Sequence, residues 1–197
     1  SMWPWREAYY TINVCNFILS RTTGDDASLS ESMKRIKGQA LFLRGYSYYT
    51  LAGYYQNPAL ITDYANYSTL DGLYGKNSTY DDVLDQVEKD FSEAMTLLPS
   101  RDEGGEWAKG RATCGAAAGY YARTLMQRHK YNDALTVLKD IMNKKYGSYK
   151  LMANYGDNFR EGSAYENNAE SLFEIQYLDY GSQGVDDEWT PVNTSPN

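Results

Sequence analysis

Residue types that build metal sites, disulfide frameworks and membrane spans are scarce in this sequence. Its 197 residues include two cysteines and one histidine, so neither a metal site nor a disulfide framework is predicted. Cys15 and Cys114 both lie in apolar helical segments, and we expect them to be buried free thiols. No apolar run is long enough to cross a membrane as a helix, and no secretory signal peptide is recognisable.

Positive charge is also scarce. The sequence has 19 Lys and Arg against 26 Asp and Glu, which gives a net charge of −7. Because nucleic acids and anionic membranes are bound by clustered cations, neither is predicted as a direct partner. Tyrosine is abundant instead, with 20 residues, and its apolar ring and hydroxyl group suit half-exposed recognition surfaces.

The segment 109–145 predicts two helices folded back on each other, close to a tetratricopeptide unit. Asn132 or Asp133 is expected to cap the second of these helices. Small residues recur at helical spacing in the first helix, where they leave a groove for a partner helix: Ala112, Gly115, Ala116, Gly119 and Ala122.

Three further helices are predicted from apolar spacing and end signals, over residues 3–19, 31–55 and 79–98. Thr79 and Asp82 are placed to cap the last of them. Residues 39–99 and 109–145 are then two repeat-like units in a single helical domain that covers residues 1–197. Alternating residues over 171–178 predict a short β-strand near the C-terminus. The predicted fold class is all-α, with long irregular insertions.

One such insertion covers residues 57–78, where no helical period holds. It carries Tyr64, Asn66, Tyr67 and Tyr74. A loop of this length inside a compact repeat is usually either functional or unstructured. Its tyrosines favour the functional interpretation, because unstructured segments are poor in aromatic residues.

Nothing in the sequence indicates catalysis. Asp25 and Asp26, like Asp81 and Asp82, are neighbours in sequence, whereas a glycosidase needs two carboxyl groups that face each other across a bond. The single histidine, His129, lies in a turn with no Ser or Cys visibly paired with it. The sequence therefore predicts a protein that is not an enzyme and that has no cofactor.

Six segments, taken in order, resemble the SusD/RagB family, the surface nutrient-binding lipoproteins of Bacteroidetes outer membranes. They are W-x3-Y-x2-I-x2-C-N (residues 5–16), GQALFLRGYSYY (38–49), NPALIT (57–62), the helix YDDVLDQVEKDFSEAMTLLP (80–99), GRAT with the alanine-rich helix (from 110) and NNAESLFEIQY (167–177). The six motifs follow one another in this order over nearly the whole chain.

The resemblance implies an all-α scaffold of tetratricopeptide-like hairpins that binds oligosaccharide or polysaccharide nutrients without catalysis. It also implies a partner, a SusC-like TonB-dependent outer-membrane transporter, and a location at the cell surface. Family members are much longer and start with a lipidated cysteine behind a signal peptide. We therefore expect this chain to be a fragment, whose contact with the membrane would depend on a lipid anchor that is absent from it.

Candidate glycan contacts follow from the chemistry of sugars, whose C–H faces pack on aromatic rings and whose hydroxyl groups hydrogen bond to amides and arginine. For two of these groups another role stays open. Trp5 could belong to the helix core, and the tyrosines of the insertion could fill a groove between repeats. A tetratricopeptide-type protein-interaction scaffold would instead bind on its concave helix face. The candidates are Trp3, Trp5, Arg6, Tyr64, Asn66, Tyr67, Tyr74 and Trp107.

Overall fold

The computed structural model of the chain describes residues 3–160, 162 and 165–176. The described part is predominantly α-helical, which confirms the predicted all-α class. Its α-helices, in chain order, are α1 (Trp3–Arg21), α2 (Glu31–Tyr55), α3 (Leu70–Leu73), α4 (Tyr80–Leu97), α5 (Cys114–Gln127) and α6 (Tyr131–Met142).

The long helices pack in an order that follows the chain, α1 against α2, α2 against α4, α4 against α5, and α5 against α6. Helices α2 and α4 form one antiparallel pair, on either side of the insertion, and α5 and α6 form another. Their interpretation as two repeat-like units of one domain stays a prediction. The largest fully buried side chains are contributed by α1, α2, α4 and α5: Ile12, Phe42, Tyr48, Leu51, Leu84, Phe91 and Leu125.

The start of α4 is fixed by the predicted cap. The Thr79 hydroxyl accepts a hydrogen bond from the Asp82 backbone N–H at 3.1 Å, and the Asp82 carboxylate accepts one from the Thr79 N–H at 3.3 Å. This reciprocal capping box satisfies two N–H groups that a helix start otherwise leaves without partners.

The predicted cap of α6 at Asn132 or Asp133 is wrong. Helix α5 ends with His129 in the left-handed region (φ 59°), and the Lys130 N–H donates to the Leu125 carbonyl at 2.9 Å. This Schellman-type ending leads the chain directly into α6, which therefore starts at Tyr131 with no side-chain cap.

A buried ion pair lies at the junction of α1, α2 and α4. The Arg44 guanidinium donates to both oxygens of Asp90 at 2.9 and 2.7 Å, and also to the Asn16 side-chain oxygen and the Thr62 carbonyl. Asp90 is fully buried and accepts a further hydrogen bond from the Gln86 amide. Burial raises the pKa of Asp90, and the hydrogen bonds from Arg44 and Gln86 oppose that shift.

The predicted strand near the C-terminus does not form over residues 171–176, and residues 177 and 178 lie outside the described part. Arg101 supplies the physical reason. Its guanidinium donates to the carbonyls of Asn167, Asn168 and Ser171 at 3.0–3.1 Å. These carbonyls are therefore bound to a side chain, and the segment pairs with no neighbouring strand in the described part of the chain.

Both cysteines are buried free thiols, as predicted. Burial raises the pKa of Cys15 to about 12 and also raises that of Cys114. Because the thiolate is the reactive form, we expect both groups to react very slowly with Ellman's reagent at pH 8 in the native protein. Two thiols should react promptly once urea unfolds the chain. Rapid labelling of both cysteines without denaturant would contradict this burial.

Candidate functional site

The insertion is held against α1 and α2 by side chains that bind its backbone. The Tyr48 hydroxyl donates to the Ile61 carbonyl at 2.8 Å and accepts from the Ile61 N–H at 2.7 Å. The Asn16 amide donates to the same carbonyl at 2.7 Å, and the Tyr9 hydroxyl donates to the Ala59 carbonyl at 2.7 Å. The first residues of the insertion are thus fixed, although they form no regular element.

These anchoring tyrosines stay neutral at physiological pH. Burial raises the pKa of Tyr9 to about 12 and raises the pKa of Tyr48 further. Each hydroxyl therefore keeps the proton that it donates to the insertion. A bridge between Ala59 and Asn77 closes the insertion at its base.

A 3-10 helix over Tyr64–Ser68 carries three of the predicted glycan contacts. The Tyr64 ring packs edge-on against Phe17 of α1, with ring centroids 5.2 Å apart, and 39% of Tyr64 stays exposed. Asn66 is exposed, whereas Tyr67 is half-buried and packs beside Tyr64 at 5.8 Å. Tyr67 thus fills space under the turn, while Tyr64 and Asn66 face solvent.

Tyr74 lies later in the insertion and is 82% exposed. Trp5 and Arg6 lie at the start of α1, twelve and eleven residues before Phe17, which is about 17–18 Å along a helix. Trp5 is half-buried and packs on Tyr55, with ring centroids 4.8 Å apart, whereas Arg6 is exposed. The Trp3 side chain lies outside the described part of the chain.

Trp107 lies elsewhere, in a 3-10 helix before α5, and is only 8% exposed. The Arg35 guanidinium covers its ring at 5.5 Å from the centroid. Trp107 also borders a mostly apolar groove of about 540 Å³ between α1 and α2. The structure thus brings Tyr64, Asn66 and Tyr67 together, and it separates them from Trp5 and Trp107.

A cleft that the sequence analysis did not single out opens between the C-terminal ends of α2 and α5. It has a volume of about 480 Å³ and is lined by Ala52, Gly53, Gln56, Tyr80 and Gln127. Tyr49, Gly53 and Gln56 recur at the spacing of one helix face, which is a partial signal. Gln127, which lies across the cleft from this face of α2, is far away in the sequence. Only the folded structure brings the two together.

Comparison with known proteins identifies the family of this scaffold. Residues 2–126, well over half of the chain, match a SusD-like family model described as "Starch-binding associating with outer membrane". The chain belongs to this SusD-like family. The family resemblance of the six sequence motifs is thereby confirmed.

Relatives from Bacteroides support the SusD-like assignment. A SusD-like protein of Bacteroides ovatus is 26% identical over 96% of this chain and 34% of its own length. A crystal structure of a SusD-like carbohydrate binding protein from Bacteroides fragilis superposes with a TM-score of 0.76 and 28% identity, covering 89% of this chain and 33% of that one. This chain therefore spans about one third of the length of these relatives.

Other SusD-like proteins share the fold at lower identity. Surface glycan-binding protein A of Bacteroides thetaiotaomicron, solved in complex with laminarihexaose, is 22% identical with a TM-score of 0.69. The match covers 88% of this chain and 35% of that protein. Within the described residues, no helix combines the length and apolarity needed to cross a membrane.

Proposed function

We propose that this SusD-like chain binds oligosaccharide or polysaccharide through the exposed part of the insertion, without catalysing a reaction. The observation that carries the proposal is the Tyr64 ring, which is braced by Phe17 and partly open to solvent. A braced ring loses little conformational freedom when a sugar packs on it. The description of the Bacteroides fragilis relative as carbohydrate binding supports the same ligand class.

The chemistry of the insertion suits a neutral sugar. Tyr64 offers a ring for the C–H face of a pyranose, and Asn66 offers an amide that both donates and accepts hydrogen bonds. Tyr74 is exposed enough to contact a neighbouring sugar unit. The assignment of Trp3, Trp5, Arg6 and Trp107 as further glycan contacts stays a prediction.

We also propose the cellular role that the family description favours. The complete protein would act at the outer-membrane surface, attached through a lipid anchor, and would pass its ligand to a SusC-like TonB-dependent transporter. The family description, "Starch-binding associating with outer membrane", supports the location.

A protein-interaction scaffold is the second candidate function. The observation that favours it is the outer face of α6, where Tyr131, Leu135 and Met142 are all exposed. Exposed apolar side chains grouped on one helix are typical of protein contact surfaces. In that case the insertion would bind no sugar, and α6 would contact a partner.

Replacing Tyr64 with Ala is expected to weaken binding to a neutral polysaccharide about tenfold, which corresponds to about 1.4 kcal/mol. The measurement is affinity gel electrophoresis in a panel that includes laminarin, starch and xylan. The matched control is Tyr155→Ala, since Tyr155 also lies in a 3-10 helix with its ring 5.2 Å from a phenylalanine, Phe159. Equal retardation of parent and Tyr64→Ala by every bound polysaccharide would refute the role of the insertion.

A further inference from the structure

A groove runs between α2 and α5 on a different face of α2 from the one that holds the insertion. At one end it is filled by the chain itself, since Phe173 packs on Phe42 and Tyr46, with ring centroids 4.9 and 6.3 Å apart. Leu172 lies over Gly119 of α5. Near the C-terminal ends of α2 and α5, beyond the Tyr120 ring that packs on Tyr46 and Tyr49, lies the open cleft of about 480 Å³, a volume within the range of small-ligand sites.

The lining of this cleft offers unused polar groups. The Gln127 amide nitrogen donates to the Tyr80 hydroxyl, and its carbonyl oxygen accepts no hydrogen bond from a described residue. Gln56 has no side-chain hydrogen bond within the described part of the chain. A side chain added at Gly53 would meet no atom within 4 Å, so the backbone of α2 is also open to a ligand here.

The backbone at Gln56 is strained. Its φ of 60° and ψ of −63° form a γ-turn of the non-inverse type, which the Asn57 N–H closes by donating to the Tyr55 carbonyl at 2.7 Å. This turn is rare because it is unfavourable for residues other than glycine. Strained residues cluster at ligand sites, where the strain sets the direction of a side chain. Gln56 is therefore held at the rim of the cleft at an energetic cost.

An uncompensated cation lies beside the cleft. Arg123 is exposed, one helical turn before Gln127, and its guanidinium lies 5.6 Å from the centroid of the Tyr49 ring. It makes no salt bridge with any described residue, although the chain has a net charge of −7. A guanidinium stacked on a ring keeps its edge free to bind a carboxylate in a bidentate manner.

We propose that this cleft is a second saccharide site and that it takes an acidic glycan with uronic acid units. Arg123 binds the sugar carboxylate, the Tyr49 and Tyr80 rings border the sugar faces, and the amides of Gln56 and Gln127 bind hydroxyl groups. The inference rests on the proposed glycan-binding function, but it uses none of the residues of the insertion. The two sites can therefore fail separately.

The first test compares polygalacturonate with fully methyl-esterified pectin, in which the carboxylates are neutral, by affinity electrophoresis at physiological ionic strength. We expect the parent to bind polygalacturonate more tightly, and Arg123→Gln to lose about tenfold or more of that affinity. Lys139→Gln, which removes the same charge from the exposed outside of α6, should bind as the parent does.

Three outcomes would overturn the proposal: no retardation of the parent by polygalacturonate, equal binding by parent and Arg123→Gln, or an equal loss in Lys139→Gln, which would indicate nonspecific attraction. These three outcomes leave the proposed binding of neutral polysaccharides by the insertion untouched. That proposal is tested separately, by comparing the parent with Tyr64→Ala on neutral polysaccharides.

The second test uses the strain at Gln56. Glycine adopts this backbone without penalty, so Gln56→Gly should raise the melting temperature by a few degrees. The same substitution removes an amide from the cleft and should weaken polygalacturonate binding severalfold. If Gln56→Gly is more stable and binds polygalacturonate as well as the parent does, Gln56 does not contact the ligand. If it is less stable than the parent, the turn at Gln56 is not strained.

Discussion

Replacing Asp90 with Ala is expected to destabilise the protein by about 3–5 kcal/mol, because it leaves the buried Arg44 charge without its counter-ion. Asp90 is fully buried, and the Arg44 side chain is only 8% exposed. Native domains are stable by only about 5–15 kcal/mol, so much of the total would be lost. Urea denaturation monitored by circular dichroism measures the change.

The control that separates charge from packing is the double variant Arg44→Met/Asp90→Leu. Two apolar side chains of similar volume leave no buried charge, so its stability should return to within about 1–2 kcal/mol of the parent. A double variant as unstable as Asp90→Ala would show that the hydrogen bonds to Asn16 and Thr62 matter more than the charge. The exposed pair Arg111–Glu106 offers a second comparison, since Glu106→Ala should cost at most about 1 kcal/mol.

Replacing Tyr48 with Phe is expected to cost about 2 kcal/mol and to loosen the insertion. The substitution removes one oxygen atom, which both donates to and accepts from the backbone of Ile61. The Ile61 carbonyl keeps its hydrogen bond from Asn16, but the Ile61 N–H is left buried without an acceptor. An unsatisfied buried donor costs about 1–3 kcal/mol.

Hydrogen exchange at the Ile61 amide and urea denaturation together measure the effect of Tyr48→Phe. The matched control is Tyr9→Phe, which removes a single hydrogen bond to the Ala59 carbonyl and should cost about 1 kcal/mol or less. We expect much faster exchange at Ile61 in Tyr48→Phe than in Tyr9→Phe. Unchanged protection of that amide would mean that other contacts hold the insertion in place.

The elements that the sequence predicted are those whose causes are local. The capping box of α4 joins Thr79 and Asp82, three residues apart. Helix α2 likewise starts after Ser30, whose hydroxyl accepts a hydrogen bond from the Met33 N–H. The family motifs are also local in sequence, so the SusD-like fold could be recognised before any contact was known.

What the sequence did not predict depends on distant partners. The strand over residues 171–176 fails because Arg101, from another part of the chain, binds the Ser171 carbonyl at the start of that segment and the Asn167 and Asn168 carbonyls just before it. The predicted cap of α6 is wrong because the Schellman-type ending of α5 leads the chain directly into α6 at Tyr131. The cleft escapes sequence analysis because Gln56 and Gln127 face each other only after α2 and α5 have packed on α4.

The way the insertion is fastened allows its outer part to change without harm to the helices. Ile61 and the bridge between Ala59 and Asn77 fix both ends, so residues 63–76 behave as a closed loop on a rigid base. Doubling the length of such a loop costs only about 0.6 kcal/mol in closure entropy. Ligand preference can thus diverge in this segment during evolution, or be replaced by grafting, while the helical scaffold keeps its stability.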